Sequence, residues 1–234
     1  MRQSSRVNSE RRKHLFEVLV FLFLILPSMA LSFLVVKQGD MSFVVTAVSS
    51  ILRDLSLVCL ILYFLWCNGE KLTEIGWKVS GTAVEVLIGA ILFVPVFFLT
   101  ALVERTLQKI GFSVPATPLP SALAANGAGE FLLAGALVVI VAVSEETIFR
   151  GYLVNRLQRV TKHWLPAAVL SSVIFSLGHG YEGAAGVITV GALGLSFALV
   201  YRWRGSLIAP MTMHFLQDIL GIVLLPLLRL GRGS

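Results

Sequence analysis

The stretch LLAGALVVIVAVSEETIFR occupies residues 132–150 and joins a long apolar run directly to a cluster of charges. Residues 132–143 are all aliphatic or small, whereas Glu145, Glu146 and Arg150 follow within the next turns of the same predicted helix. A helix needs about 20 mostly apolar residues to cross a bilayer. The stretch therefore predicts a transmembrane helix that carries two adjacent carboxylates at membrane depth.

The composition of the whole chain also indicates a protein that lies in a lipid bilayer. Of its 234 residues, 56% are hydrophobic and 14% are charged, and the mean hydropathy is +0.86. A water-soluble core does not require this much apolar sequence. The net charge of +6 does not indicate nucleic-acid binding, because the Lys and Arg residues fall in small groups between apolar runs. We expect a lipid bilayer around the protein and no nucleic acid as a partner.

Seven apolar segments are long enough to be membrane helices, and they predict an all-α, polytopic helical bundle. The pair Arg53 and Asp54 interrupts the second segment, which leaves open a surface helix followed by a shorter span, and thus an eighth helix. In that case the two charges would satisfy one another at the membrane interface. The predicted spans are residues 15–36, 41–66, 81–103, 130–153, 165–179, 184–201 and 206–228.

The distribution of basic residues predicts the orientation of the bundle. Most Lys and Arg residues precede the first span or follow the second, fourth and sixth spans, so they fall on one side of the membrane. The positive-inside rule then places the N-terminus in the cytoplasm. The opposite side holds residues 104–129, where prolines and an Asn-Gly pair predict an irregular outer linker.

Charged side chains inside a bilayer are costly, so they usually mark a relay, a substrate path or catalysis. Glu146 and Arg150 are four residues apart and can pair on one helix face. Glu145 points about 100 degrees away around the helix. The spacing therefore predicts that Glu146 is held in an ion pair with Arg150, whereas Glu145 is free to take part in chemistry.

Two further segments bring histidines into the bundle. Phe175 lies one turn before His179, and His214 lies one turn before Asp218. Taken alone, His179 fits a buried packing histidine as well as a functional one, and His214 with Asp218 fits a pair that holds two helices together. We exclude His14 and His163 from the site, because they adjoin lysines at the expected membrane surfaces, and we assign Arg53 and Asp54 to mutual pairing.

Three motifs in this order resemble the signatures of one protein family. They are EETIFR (145–150), FSLGH (175–179) and HFLQD (214–218), with GYL (151–153) and RGSL (204–207) as matching context. The sequence is similar to the CAAX protease and bacteriocin-processing family, also called CPBP or Abi, of intramembrane endopeptidases. The resemblance covers residues 130–225. One departure is Asp218, where many members of the family carry Asn.

The resemblance implies a domain organisation and a set of roles. Residues 1–14 would be a cytoplasmic basic tail, 15–129 the N-terminal transmembrane helices with the outer linker, 130–228 the catalytic core, and 229–234 a second tail. Glu145 would activate a water that His179 also holds, and His214 would face the oxyanion. Asp218 would either orient that imidazole or donate as an acid, while Glu146, Arg150 and Phe175 would complete and support the site.

The substrate implied by the resemblance is a membrane-anchored or lipidated protein or peptide, cleaved without a cofactor in a membrane that we expect to be a bacterial plasma membrane. A metal-dependent version would use Glu145, Glu146, His179, His214 and Asp218 as ligands. Two other classes fit parts of the sequence. One is an ion- or proton-coupled transporter that uses the buried polar residues as a relay, and the other is an inactive membrane partner or immunity protein.

Overall fold

The computed structural model describes residues 2–35, 42–114 and 123–230, with side chains for 11–30, 42–114 and 123–228. This part of the chain is helical and contains no strand. The helices are α1 (Arg2–Val35), α2 (Phe43–Asn68), α3 (Thr82–Lys109), α4 (Ala128–Glu145), α5 (Val154–Thr161), α6 (Trp164–Leu177), α7 (Gly183–Arg204), α8 (Ile208–Asp218) and α9 (Leu225–Leu230).

Two pairs of helices are joined without a break in the chain direction. A π-helical segment, Glu146–Leu153, links α4 to α5, and a second one, Ile219–Leu224, links α8 to α9. Short 3₁₀ turns lie at Leu72–Ile75 and Gly180–Glu182. In the described residues, α4 with α5 and α8 with α9 therefore each form one continuous helical element.

The lengths of these helices confirm the all-α membrane bundle. Six continuous helices are long and apolar enough to cross a membrane, and α6 is a seventh, shorter apolar helix. With 14 residues, α6 is about 21 Å long at ~1.5 Å per residue, against a hydrocarbon core of about 30 Å. The helix α6 is therefore too short to cross the hydrocarbon core by itself.

The eighth helix that the sequence left open does not form in the second span. The helix α2 is a single continuous element of 26 residues. Arg53 and Asp54 lie near the middle of this continuous helix, which does not fit their expected place at a membrane interface, and Asp54 is 1% exposed within the bundle. The helix α2 packs along α4, and its residues Phe43, Ala47 and Ile51 share a hydrophobic cluster with Ala134 and Leu137 of α4.

The predicted outer linker is shorter than expected. The helix α3 continues to Lys109, and α4 begins at Ala128. Of the predicted linker, Pro115, Pro118 and Pro120 lie outside the described residues. The segment before them turns back onto the bundle, because the carbonyl and hydroxyl of Ser113 accept hydrogen bonds from the first turn of α7.

Small residues set the closest helix approaches. A Cβ at Gly89 of α3 would lie 2.5 Å from the carbonyl oxygen of Ala209 in α8. Because no real Cβ tolerates this distance, only glycine allows α3 and α8 to pack here. The helix α4 in turn contacts α2 and α8, so side chains from all three helices meet at the C-terminal end of α4.

A network of ion pairs joins α1, α5 and the end of α2 at one end of the bundle. Arg156 donates to Glu17 with an N–O distance of 2.7 Å, and Glu70 accepts hydrogen bonds from both Arg156 and Arg159. Burial favours the neutral form of Glu70, but these hydrogen bonds hold the pKa of its carboxyl below the usual range. His14 is also buried here, 3.1 Å from Arg159. The expectation that His14 is a solvated surface residue is therefore wrong.

The same end of the bundle collects most of the groups of basic residues. Arg204 pairs with Glu85 at an N–O distance of 2.7 Å, and the backbone N–H of Leu207 donates to the carbonyl of Gly76. The loops after α2 and α7 therefore meet beside the ion-pair network. This grouping is the one that the distribution of basic residues predicts, while the cytoplasmic orientation of this end stays a prediction.

Candidate active site

The site is built where α4 passes into the π-helical segment. Glu145 is the last residue of α4, and Glu146 is the first residue of Glu146–Leu153, whose side chains are all buried. A π-helical turn inserts an extra residue into the helix and often occurs at functional sites, because it redirects neighbouring side chains. The widened turn is held from outside by Trp77, which donates to the hydroxyl of Thr147 at 3.2 Å.

Glu146 connects two helices through one carboxylate oxygen. Its Oε1 accepts a hydrogen bond from Arg150 Nη1 at 2.7 Å and lies 2.9 Å from His214 Nδ1. The pairing with Arg150 follows the four-residue spacing that the sequence indicates. An ionised carboxylate only accepts hydrogen bonds, so the geometry requires that Nδ1 carries the proton of His214. The second ring nitrogen, Nε2, is thereby turned towards Asp218 and Glu145.

Arg150 is enclosed by aromatic rings. Its guanidinium carbon lies 4.3 Å from the ring centre of Phe175 and 5.2 Å from that of Phe197. A Cβ at Gly194 would lie 3.0 Å from Arg150 Nη2, so a glycine leaves room for this end of the side chain. Such cation–π contacts are stronger where water is excluded, and Arg150 is 1% exposed. The arginine is therefore fixed on three sides.

Glu145 is buried but much less constrained than its neighbour. Its Oε1 is 3.6 Å from Arg53 Nη2, and its Oε2 is 3.8 Å from His214 Nε2, and both distances are too long for a hydrogen bond. Within the described part of the chain, Oε2 has no hydrogen-bond partner. Asp218 Oδ2 faces the same imidazole nitrogen at 3.4 Å. Two carboxylates thus converge on His214 Nε2.

His179 approaches this group through Phe175. Its Nδ1 is 3.3 Å from the carbonyl oxygen of Phe175, and the two rings have centres 5.0 Å apart. Phe175 also lies close to His214, with ring centres 6.0 Å apart. Phe175 therefore contacts both imidazoles. The helix α6 ends two residues before His179.

The structure shows which of the predicted site residues lie close together. The predicted site residues Glu145, Glu146, His214 and Asp218 form one cluster with Arg150, while His179 joins it by way of Phe175. Among the described residues, no group of three His, Cys, Asp or Glu side chains is arranged to hold a metal ion. The oxygen of Glu146 nearest to His214 is also bound by Arg150, which leaves it less suited to be a metal ligand.

Sequence reasoning missed three residues of the site. Phe197 packs its ring 5.6 Å from that of His214, and Gly194 makes room for Arg150. No local pattern distinguishes either from other helix residues. Arg53 is expected only to pair with Asp54, although a charge near the middle of an apolar run is as costly at Arg53 as it is at Glu145.

The fold and the site together define a class of protein: a polytopic membrane protein with a buried cluster of carboxylates and imidazoles. Residues 127–220 match the family model of type II CAAX prenyl endopeptidase Rce1-like. This match covers less than half of the chain, spans all five predicted catalytic residues, and supports the resemblance to the CPBP, or CAAX protease, family of intramembrane proteases. Neither the comparison with curated proteins nor that with solved structures gives a match.

Proposed function

We propose that this protein is an endopeptidase that hydrolyses a peptide bond of a membrane-anchored or prenylated protein by a water that Glu145 activates. The observation that carries the proposal is the contrast between the two neighbouring carboxylates. Glu146 is held through Oε1 by Arg150 and His214, whereas the side chain of Glu145 makes no hydrogen bond to the described residues. Each carboxylate has a buried Oε2 without a hydrogen-bond partner among these residues, so the difference lies in Oε1. A general base needs such a free oxygen to accept a proton.

In the proposed reaction, the oxygen of the water attacks the scissile carbonyl carbon while Glu145 takes one of its protons. The electron pair of the C=O bond moves to the carbonyl oxygen, and His214 Nε2–H faces the oxyanion that forms. Glu145 then returns the proton to the leaving nitrogen as the C–N bond breaks. The electron pair of the oxyanion re-forms the C=O bond in this step, so the products are a carboxylic acid, which then loses its proton to water, and an amine. By the family resemblance, His179 would hold the water.

The supporting residues have roles that follow from their contacts. Glu146 keeps a proton on His214 Nδ1, so Nε2 must gain a proton of its own before it can donate to the oxyanion. Arg150 fixes Glu146, and Phe175 fixes Arg150 and both imidazoles. These residues orient the reacting groups without touching the substrate.

The role of Asp218 can be decided by two substitutions. Asn keeps the shape of Asp218 and supplies a donor, so we expect Asp218→Asn to keep kcat within about tenfold of the wild type if the side chain donates to the oxyanion. Asp218→Leu removes every polar contact and should lower kcat by about 10²–10³-fold. Equal, large losses in both variants would instead mean that the carboxylate orients His214. Turnover per folded protein in proteoliposomes measures both variants.

The function is tested with purified protein in proteoliposomes. The probes are a farnesylated peptide with a C-a-a-X terminus, its unlipidated copy, and a peptide with the same cleavage sequence on a transmembrane anchor. Mass spectrometry of the products should identify one cleaved bond in a lipidated or anchored probe. Intact probes together with ion flux across the same vesicles would favour the transporter, and intact probes without flux the inactive partner.

The same assay distinguishes the metal-free mechanism from its metal-dependent version. Activity that survives exhaustive chelation supports a glutamate-activated water without a metal. Activity that is lost on chelation and restored by a divalent ion supports the metal version. In that case, Glu145 and Asp218, which converge on one point, would be the first residues to test as ligands.

A further inference from the structure

The N-terminal half of the chain contributes a charge to the site. The helix α2 lies outside the segment that matches the family model, yet Arg53 Nη2 is 3.6 Å from Glu145 Oε1. The other oxygen of Glu145 faces His214. The proposed base therefore lies between a cation from α2 and an imidazole from α8.

The position of Arg53 is itself fixed by its neighbour. Its Nε donates to Asp54 Oδ1 at 2.8 Å, and Asp54 is buried, with its second oxygen unpartnered within the described residues. An arginine presents its donors as a rigid fork, so a hydrogen bond at Nε sets the direction of the Nη groups. The pair with Asp54 thus aims the guanidinium at Glu145.

The distance between Arg53 and Glu145 matters for the chemistry. A bidentate hydrogen bond would tie Glu145 as Arg150 ties Glu146, and the oxygen could then not accept a proton readily. At 3.6 Å the attraction remains strong in a medium of low dielectric, but it leaves the lone pairs free. The contact attracts the carboxylate without blocking it.

We propose that Arg53 is a positioning residue for Glu145, and that Asp54 aims it. This inference rests on the proposed function, in which Glu145 is the base. The charge of Arg53 holds the ionised carboxylate in the orientation from which it takes a proton from water, and it opposes the displacement of Glu145 towards His214. The site in residues 127–220 then needs Arg53 of α2 to be complete.

The experiment compares variants of Arg53 in the full-length protein in proteoliposomes, with the probe that the wild type cleaves. Arg53→Gln removes the charge and should lower kcat by about 10–100-fold while KM changes less than about threefold, because substrate contacts remain. Arg53→Lys keeps the charge and should recover most of this loss. The matched control is Arg204→Gln, which breaks the pair with Glu85 at the far end of the bundle.

A purely structural role predicts a different pattern. In that case Arg53→Gln and Arg204→Gln would both lower the melting temperature, and kcat per folded protein would stay at the wild-type value in each. A second measurement uses Arg53→Ala, in which added guanidinium ion should restore part of kcat, whereas the same concentration of urea should not. The side chain of Arg53 is 39% exposed, so its removal leaves a space that the protein does not fully enclose.

Failure of this inference is distinguishable from failure of the proposed function. If the wild type cleaves its probe, Glu145→Gln is inactive, and Arg53→Gln has an unchanged kcat, then the function stands and the positioning role is wrong. An unchanged kcat in Glu145→Gln would instead overturn the proposed function. Full activity in Arg53→Gln with no rescue effect in Arg53→Ala overturns the role of Arg53 alone.

Discussion

Replacing Glu145 with glutamine is expected to lower kcat by about 10²–10⁴-fold, the range for loss of a general base. Glutamine has nearly the same shape and still offers an oxygen to Arg53, but its amide cannot take a proton from water. The fold should persist, since Glu145 makes no hydrogen bond that holds the described bundle together. Single-turnover cleavage in proteoliposomes measures the loss, and the melting temperature measures the fold.

The matched control is Glu146→Gln, the same chemical change one residue along the chain. It weakens the hydrogen bonds to Arg150 and His214 and leaves a buried guanidinium without its counter-charge. We therefore expect Glu146→Gln to lower stability far more than Glu145→Gln does. A fully active Glu145→Gln beside a folded but inactive Glu146→Gln would exchange the roles of the two residues.

Replacing Arg150 with methionine is expected to cost about 3–5 kcal/mol of stability, the range for breaking a buried ion pair by removing one partner. Arg150 is 1% exposed and Glu146 is 0% exposed, so the orphaned carboxylate cannot reach water. The change also removes the cation that packs on Phe175. Unfolding in mixed micelles, followed at increasing denaturant, gives the free energy difference.

The double variant Glu146→Gln with Arg150→Met separates the charge effect from the packing effect. With both charges gone, no ion is left buried, so stability should recover a large part of the loss seen in Arg150→Met. If the losses of the two single variants simply add in the double variant, the two residues do not act as a pair. Gly194→Ala should displace the guanidinium of Arg150 slightly, because the added Cβ would lie 3.0 Å from Nη2, and should therefore lower stability less than Arg150→Met does.

Local sequence patterns predicted much of the fold and part of the site. Apolar length alone gave the helical bundle, since a bilayer forces backbone polar groups to pair within helices. The spacing of Glu146 and Arg150 predicted their ion pair, and that of His214 and Asp218 predicted that they face each other. The cost of charge at membrane depth singled out Glu145.

Some expectations failed because they concerned contacts between distant segments. His14 was expected to be solvated, yet it is buried beside Arg159. Arg53 and Asp54 do bind each other, as expected, but near the middle of the continuous helix α2 and beside Glu145. In both cases the expectation rested on neighbours in the sequence, and it did not include the partner from another helix.

The sequence by itself determined which residues lie on helices in a membrane and which pairs one turn apart share a face, because the helical period and the apolar length are local properties. Only the tertiary structure decided that Glu145 lies between Arg53 and His214, and that Phe175 separates two imidazoles. Those contacts depend on how each helix is rotated about its axis and where it crosses its neighbours. Rotation and crossing are set by packing at positions such as Gly89 and Gly194, which resemble any other small residue in the sequence.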